Sequence, residues 1–187
     1  MNGTTDVTAN YNITEVDGEL EITARPITIT AASDDKFYDG IALTNSGSNI
    51  TSGTLVTGHT YTATVTGSQL YVGTSSNVAS DAVIMNGETE VTLNYAITYA
   101  PGTLEVKDAD IAITVIADDN EKVYDGTPLT DDGWTYTGTL ATGDQLFVTV
   151  VGSITDVGTK VNEITKVKVM NGTTDVTANY NITEVDG

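Results

Sequence analysis

Hydrophobic side chains along this chain mostly stand singly, separated by Thr, Asp, Asn or Gly. Ile27 and Ile29 alternate with polar residues, and Ile111, Ile113 and Val115 repeat this pattern further along. A period of two places one face of a strand in a core and the other face in water. No segment shows the spacing of an amphipathic helix. The pattern therefore predicts an all-β protein.

Turn signals divide the strands and suggest how they are connected. Asn86-Gly87 and Asn171-Gly172 each follow an apolar run, and Asn-Gly is a strong signal for a tight hairpin because both residues accept positive φ. Residues 74–82 follow Gly73 and contain Ser and Asn, so they are predicted to form a loop. We expect small β-sandwich modules of the immunoglobulin-like (Ig-like) type. A β-grasp-like variant with one short helix is the alternative.

Internal repetition divides the chain into three parts. Residues 1–18 recur without change at 170–187, and other motifs repeat in the same order at a spacing of roughly 85 residues. Residues 1–23 are interpreted as the C-terminal strands of a preceding repeat. Residues 24–107 form a complete module, and residues 108–187 form a second module that lacks its last strand.

The pattern of a module's final strand is present near the start of the sequence and at the end of the first module, but not at the end of the second module. Residues 102–107 end the first module with a Gly-x-Leu-x-Val pattern, residues 18–23 carry the matching Gly-x-Leu-x-Ile pattern, and the second module reaches only Gly187. Because an open strand edge pairs readily with another strand, we expect head-to-tail strand exchange between chains. The alternative is that both ends pack loosely. Neighbouring repeats of the same protein are the other expected partners.

Short motifs recur at matching positions in both modules. The Lys-x-Tyr-Asp-Gly motif predicts a turn in which Asp binds nearby backbone and Gly takes positive φ. The repeat-signature residues, which we interpret as structural, are Tyr38, Asp39, Gly40, Asn94 and Tyr95 in the first module and Tyr124, Asp125, Gly126, Asn179 and Tyr180 in the second.

In this order, the Tyr-Asp-Gly, Gly-x-Leu, Val-Gly-Thr and Asn-Tyr-x-Ile-Thr motifs resemble the YDG/MBG-type repeat modules of large bacterial cell-surface, adhesin-like proteins. The resemblance covers both modules and the N-terminal segment. It implies a location on the bacterial cell surface or cell wall, outside the cell. It also implies a role as a stalk or in cell adhesion, and it brings no catalytic residues.

Composition narrows the classes of partner. The chain has 26 acidic and 7 basic side chains and a formal net charge of −19. A phosphate backbone is bound by clustered Lys and Arg, so we expect no nucleic-acid partner. Cys is absent, which excludes disulfides and thiolate metal sites. No stretch approaches the roughly 20 apolar residues of a membrane span, so none is expected.

Candidate chemistry is sparse, and we predict no catalytic residue and no enzyme. His59 is the only His and is interpreted as a solvent-facing loop residue without triad partners. A Lys–Asn isopeptide bond between Lys36 or Lys122 and Asn94 or Asn179 is conceivable, but no buried acid is evident to assist it.

Calcium is a second candidate, as the one cofactor that the composition suggests. Acidic residues cluster near the boundary between the modules, and carboxylate oxygens are the ligands that calcium prefers. The residues concerned are Asp108, Asp110, Asp118, Asp119 and Glu121. Their spacing matches neither an EF-hand nor a Gly-Gly-x-Gly-x-Asp repeat, so no specific metal ligand is assigned.

Two functions follow from these expectations. The first is a structural spacer that projects distal binding domains from the cell surface. The second is an adhesive module that binds a glycan or host protein through the aromatic residues Trp134 and Tyr136. For Trp134, a core position covering one end of the sandwich is the competing interpretation, because Trp is a largely buried residue type.

Overall fold

The computed structural model describes residues 3–187, so Met1 and Asn2 of the repeated segment lie outside it. Within this range, strands dominate, and the only helical elements are the 3-10 turns Thr8–Asn10, Thr92–Asn94 and Thr177–Asn179. The prediction of an all-β protein is confirmed. No α-helix is formed by the described residues, so the helix required by the β-grasp alternative is not found there.

The first module contains two sheets. Its strands are β1 (Arg25–Ala31), β2 (Asp34–Phe37), β3 (Ser48–Ser52), β4 (His59–Thr66), β5 (Gly73–Asn86), β6 (Thr89–Glu90), β7 (Tyr95–Ala100) and β8 (Gly102–Lys107). One sheet has the order β3-β1-β7, and the other has the order β2-β8-β5-β4 with β6 paired to β5. The β1–β7 and β2–β8 pairs are parallel, and the remaining pairs are antiparallel.

The two sheets of the first module pack face to face. Ile27 and Ile29 of β1 are buried against Ala79 and Ile84 of β5, and Tyr95 closes the same cluster. The alternating pattern that predicted β1 is therefore the pattern of its buried face. Burial of these apolar side chains holds the module together.

The second module repeats this arrangement with fewer paired strands. Its strands are β9 (Ile111–Ala117), β10 (Trp134–Gly138), β11 (Asp144–Val151), β12 (Glu163–Asn171), β13 (Thr174–Asp175) and β14 (Tyr180–Val185). The sheets have the orders β10-β9-β14 and β11-β12-β13. Counterparts of β2 and β8 are not formed among the described residues, and β12 is shorter than β5 because no strand pairs with residues 158–162.

The prediction of a loop at residues 74–82 is wrong, because these residues lie inside β5. Local composition disfavours a strand there, but β8 pairs with the first half of β5 and β4 pairs with the second half. Asn77 and Ala79 are buried in alternation. A bulge in the β4–β5 pairing, near Asp81 with its φ of 49°, accommodates the polar sequence.

The segment interpreted as strands of a preceding repeat forms no strand between residues 3 and 23. Its Leu20 and Ile22 side chains are 100% and 99% exposed, whereas the matching Leu104 and Val106 are 0% and 1% exposed. A strand requires neighbours for its backbone hydrogen bonds, and no strand of residues 3–187 pairs with residues 6–23. Residues 18–23 therefore share the sequence pattern of β8, but the strands predicted for residues 3–23 are not formed.

Candidate functional site: the junction between the modules

The Lys-x-Tyr-Asp-Gly motif of the first module forms the predicted turn. The Asp39 carboxylate accepts hydrogen bonds from the Ile41 backbone N–H at 2.9 Å and from Lys36 Nζ at 2.6 Å. Lys36 also donates to the Ile41 carbonyl, and Gly40 takes a φ of 77°. The hydrogen bond from Lys36, followed by that from Ile41, lowers the pKa of Asp39.

The same turn exists in the second module. Asp125 Oδ1 accepts Lys122 Nζ and the Thr127 N–H, each at 2.9 Å, and Gly126 has a φ of 78°. The hydrogen bond from Lys122 is the main reason why the pKa of Asp125 is held well below its usual range. Because both lysines hold their own turns, the structure gives no support to a Lys–Asn isopeptide bond.

The signature asparagines also have structural roles. Asn94 and Asn179 are the last residues of the 3-10 turns that precede β7 and β14. Their backbone N–H groups donate to the Val91 and Val176 carbonyls, each at 3.0 Å. These contacts set the start of the strand that follows each turn.

The Tyr38 side chain crosses from the first module into the second. It is 2% exposed, and its hydroxyl donates to Asp144 Oδ1 at 2.8 Å. The Tyr180 hydroxyl donates to Asp144 Oδ2 at 2.6 Å, and Asn171 Nδ2 donates to Oδ1 at 2.7 Å. One carboxylate from β11 is thus held by three donors, and one of these belongs to the other module.

Both junction tyrosines remain protonated near neutral pH. Burial is the first cause, and the hydrogen bond to Asp144 is the second; together they raise the pKa of Tyr38 and of Tyr180 well above the usual range. Each phenol is therefore a proton donor to the carboxylate. Hydrogen bonds to an ionised acceptor are shorter and stronger than those between neutral groups.

The backbone of the turn also touches the second module. The Thr142 N–H donates to the Asp39 carbonyl at 3.0 Å. A Cβ atom at Gly40 would lie 1.9 Å from the Thr142 carbonyl oxygen. Gly is therefore required at this position both for its positive φ and for the close approach of the two backbones.

Apolar side chains of the first module continue into the core of the second. Leu43, Leu104 and Val106 are buried in the same hydrophobic cluster as Ile113 and Val115 of β9. Tyr38 belongs to that cluster as well. One hydrophobic cluster therefore spans the junction, separate from the cluster between the sheets of the first module, and Tyr38, which belongs to the spanning cluster, also makes the polar contact with Asp144.

The acidic residues considered for calcium do not converge. Asp108 accepts the Asp110 N–H at 3.0 Å within the linker between β8 and β9, whereas Asp119 and Glu121 line a groove in the second module. Among residues 3–187, no group of three or more acidic or His side chains is arranged to hold a metal. A calcium site at the junction thus has no geometric support.

The residues that form the junction have repeat counterparts elsewhere in the chain: the turn of Tyr38 and Gly40 recurs in the second module, and the positions of Asp144 and Tyr180 recur in the first. Tyr124 is 62% exposed, and the space around Gly126 is open. In the first module, His59 Nδ1 lies 2.7 Å from the Tyr95 hydroxyl, which also accepts the Val56 N–H at 3.0 Å. The interpretation of His59 as a solvent-facing loop residue is wrong, because it is a half-buried strand residue bound to Tyr95.

The aromatic pair proposed as a ligand contact lies on β10. Trp134 is half-buried and packs on the core of the second module, and Tyr136 is 43% exposed. Their ring centroids are 6.3 Å apart. β10 is the edge strand of its sheet, and of these two side chains Tyr136 is the more exposed to solvent.

Sequence reasoning interpreted the signature residues as structural but missed the binding partner of Tyr38. A signal was available: Asp144 occupies the repeat position of His59, and each follows a Thr-Gly pair. A titratable or hydrogen-bonding residue retained at that position in both modules indicates a polar contact. Which residue it contacts depends on the packing of the modules, and a local motif does not contain that information.

Comparison with known proteins finds no match to a family model, to a curated protein or to a solved structure. Across residues 3–187, no helix is long and apolar enough to cross a membrane. The function is therefore inferred from the geometry of the junction and from the repeated motifs.

Proposed function

We propose that the chain is a structural spacer, in which stiffly joined β-modules hold distal binding domains away from a bacterial cell surface. The proposal rests on the hydrophobic cluster that contains residues of both modules and on the hydrogen bond from Tyr38 to Asp144 beside it. Only residues 108–110 separate β8 from β9. A short linker combined with a buried interface supports a fixed angle between modules.

The location outside the cell rests on the resemblance of the repeated motifs to the surface-protein modules. The charge of −19 fits this setting, because a strongly acidic surface disfavours association with other acidic surfaces. The repeat-signature residues then have a mechanical role. Tyr38, Asp39, Gly40 and Tyr180 join the first module to the second.

Rigidity of the junction is the testable core of this proposal. Because the chain contains no Cys, spin labels can be placed at Thr62→Cys and Thr149→Cys, which are exposed on β4 and β11. We expect one narrow distance distribution between these labels and a broader one in the Tyr38→Ala background. A label pair within one module, Thr135→Cys with Thr149→Cys, is the control and should not respond to Tyr38→Ala. A broad distribution in the unaltered junction would refute the spacer.

Ligand binding is the second candidate function, favoured by the exposed Tyr136 beside Trp134. A glycan array tests it directly, with Tyr136→Ala as the variant that removes the aromatic surface. Specific binding that Tyr136→Ala abolishes would establish an adhesive role. Tyr99→Ala, which removes another partly exposed Tyr at 39% exposure, is the comparison variant and should leave such binding unchanged.

A further inference from the structure

The outer face of the β11–β12 pair carries positive charge and an exposed aromatic ring. The inner face of the two strands packs into the hydrophobic cluster that spans the junction, through Leu146, Val148, Val167 and Val169. The intervening side chains point the other way and line a shallow depression of about 330 Å³. These residues, which we call the outer patch, are Phe147, Thr149, Lys166, Lys168 and Met170.

The pairing of the strands brings the ring and the two ammonium groups of the outer patch together. Phe147 lies opposite Lys168, and Thr149 lies opposite Lys166. Side chains at opposite positions of an antiparallel pair are close neighbours on one face of the sheet. Phe147 is 52% exposed, and neither of the aromatic pairs found among residues 3–187 includes it. Its ring therefore presents apolar surface to solvent beside two cations.

The two lysines of the outer patch differ in what holds them. Lys168 Nζ lies 2.8 Å from Asp175 Oδ2, which fixes the ammonium group, and a Lys has three N–H donors. Lys166 forms no salt bridge with the acidic groups of residues 3–187. Glu163 lies further along the same strand pair, opposite Val151. The patch thus offers one anchored cation and one without a counter-ion.

The repeat shows that the fold does not require these side chains. At the spacing of the repeat, the counterpart of Phe147 is Thr62, and the counterparts of Lys168 and Lys166 are Val83 and Asp81. Thr62 and Val83 lie opposite each other in the β4–β5 pair, so the same sheet face forms without an aromatic ring or a cation. The outer patch is therefore a property of the second module that the shared architecture does not explain.

The charges of the chain narrow the class of ligand. The net charge of −19 disfavours a densely charged polyanion, but two neighbouring ammonium groups can hold one isolated carboxylate. An aromatic ring beside them can pack on the apolar face of a sugar ring. The depression is at the small end of the range for ligand sites, which fits one sugar.

We propose that the outer patch binds a glycan through one terminal acidic sugar, a sialic acid or a uronic acid. The sugar carboxylate accepts hydrogen bonds from Lys166 and Lys168, and the apolar face of the sugar packs on Phe147. This site is distinct from Tyr136, which lies on β10 in the other sheet of the module. It is also independent of the spacer function, because none of its residues takes part in the polar contacts of the junction.

The first test is an NMR titration of the isotope-labelled 187-residue chain. The probes are sialyllactose, a disaccharide that ends in glucuronic acid, and lactose as the neutral control. We expect at least one acidic probe to cause saturable shifts at the backbone amides of the outer patch and none at residues 60–64 and 81–85. Lactose should cause none at the same concentration. If neither acidic probe causes saturable shifts at the outer patch, the proposal fails.

A polyanion distinguishes an acidic-sugar site from a general basic surface. Heparin carries many sulfates, and the acidic surface around the patch should repel it. We expect heparin to bind more weakly, per chain, than the acidic probe that binds. Tighter binding of heparin at the same amides would overturn the assignment to a single acidic sugar.

Neutralising one lysine tests the contact with the carboxylate. Lys166→Gln should raise the Kd for the acidic probe by at least about 10-fold, because the site loses a charged donor. Lys160→Gln removes the same charge from an exposed position of the second module outside the outer patch, and it should leave the Kd nearly unchanged. Equal effects of the two substitutions would show that overall charge, and not the outer patch, governs binding.

Replacing the ring tests the stacking contact. Phe147→Thr introduces the residue of the first module, and Phe147→Leu keeps apolar bulk but removes the flat ring. We expect both variants to raise the Kd by at least about 10-fold, and the urea midpoint of each verifies that the chain is folded. Full binding by the folded Phe147→Leu variant would overturn the role of the ring.

Discussion

Gly40 and Gly126 occupy the same position of the repeated turn but have different surroundings. Their φ angles are 77° and 78°, so an L side chain is strained to a similar degree at either one. Only Gly40 lies against another backbone, at Thr142. Gly126 therefore needs to be Gly only for the positive φ of the turn, whereas Gly40 must also leave room for the backbone of the second module.

We expect Gly40→Ala to destabilise the chain considerably more than Gly126→Ala. Both substitutions carry a cost of about 1–2 kcal/mol for positive φ, and Gly40→Ala adds a clash that forces the modules apart. Urea unfolding under dilute, monomeric conditions measures the difference. Equal losses in the two variants would show that the contact between Asp39 and Thr142 is not made.

Tyr38 and Tyr180 make stability sensitive to alkaline pH. Their pKa values in the folded state are raised above the unfolded value of about 10, so folding holds both phenol protons more tightly. The resulting stabilisation is fully present below about pH 10 and is lost as the pH rises above it.

We expect the urea midpoint to fall as the pH rises above about 10 and to fall less steeply in the Tyr38→Phe, Tyr180→Phe double variant. Phe lacks the titrating group but keeps the ring in the core. Tyr124→Phe, which alters an exposed ring, should retain the full pH dependence. A double variant with an unchanged slope would mean that other groups cause the alkaline loss.

At the scale of elements, β5 and its counterpart show how pairing decides structure. Residues 73–77 are strand because β8 lies beside them, whereas residues 158–162 of the second module are irregular. The strand β2 likewise pairs with β8, and its counterpart at residues 120–123 is unpaired. One missing neighbour thus removes the counterpart of β2 and shortens the counterpart of β5 in the second module.

Hydrogen exchange should report this difference directly. We expect backbone amides within 158–161 and 120–123 to exchange rapidly and the matching amides within 73–76 and 34–37 to be protected, because protection follows backbone hydrogen bonding. The measurement is made at low concentration by mass spectrometry. Similar protection in both modules would show that the second module closes its groove without a further strand.

At the scale of the whole molecule, the hydrophobic cluster that spans the junction couples the stability of the two modules. Leu104 and Val106 belong to strands of the first module but are buried in the cluster that contains Ile113 and Val115. Exposure of either module uncovers apolar surface on the other. Such coupling favours unfolding of both modules together.

We expect calorimetry of the dilute chain to show one transition, with the calorimetric and van't Hoff enthalpies in agreement. Tyr38→Ala removes a large junction side chain and should separate the melting of the modules into two transitions. Tyr124→Ala, at the exposed equivalent position, should leave a single transition. Two transitions in the unaltered chain would contradict coupling through the junction.

Much of this structure could be predicted from local sequence. Alternation at Ile27 and Ile29 identified β1, and the Asn86-Gly87 pair identified the hairpin between β5 and β6. The Asp-Gly turns also formed as predicted. These features depend on side-chain periodicity and on the φ angles that individual residues accept, so a short window of sequence contains the necessary information.

Tertiary structure decided which copies of a repeated motif are folded and what they bind. Residues 18–23 and 102–107 share a pattern, but only the second set is a strand, because strand hydrogen bonds come from neighbours distant in sequence. Tyr38 and Tyr124 share a motif, but only Tyr38 has a module beside it to supply Asp144. The sequence by itself determined the repeating strands and turns, whereas long-range packing determined the junction and the open groove.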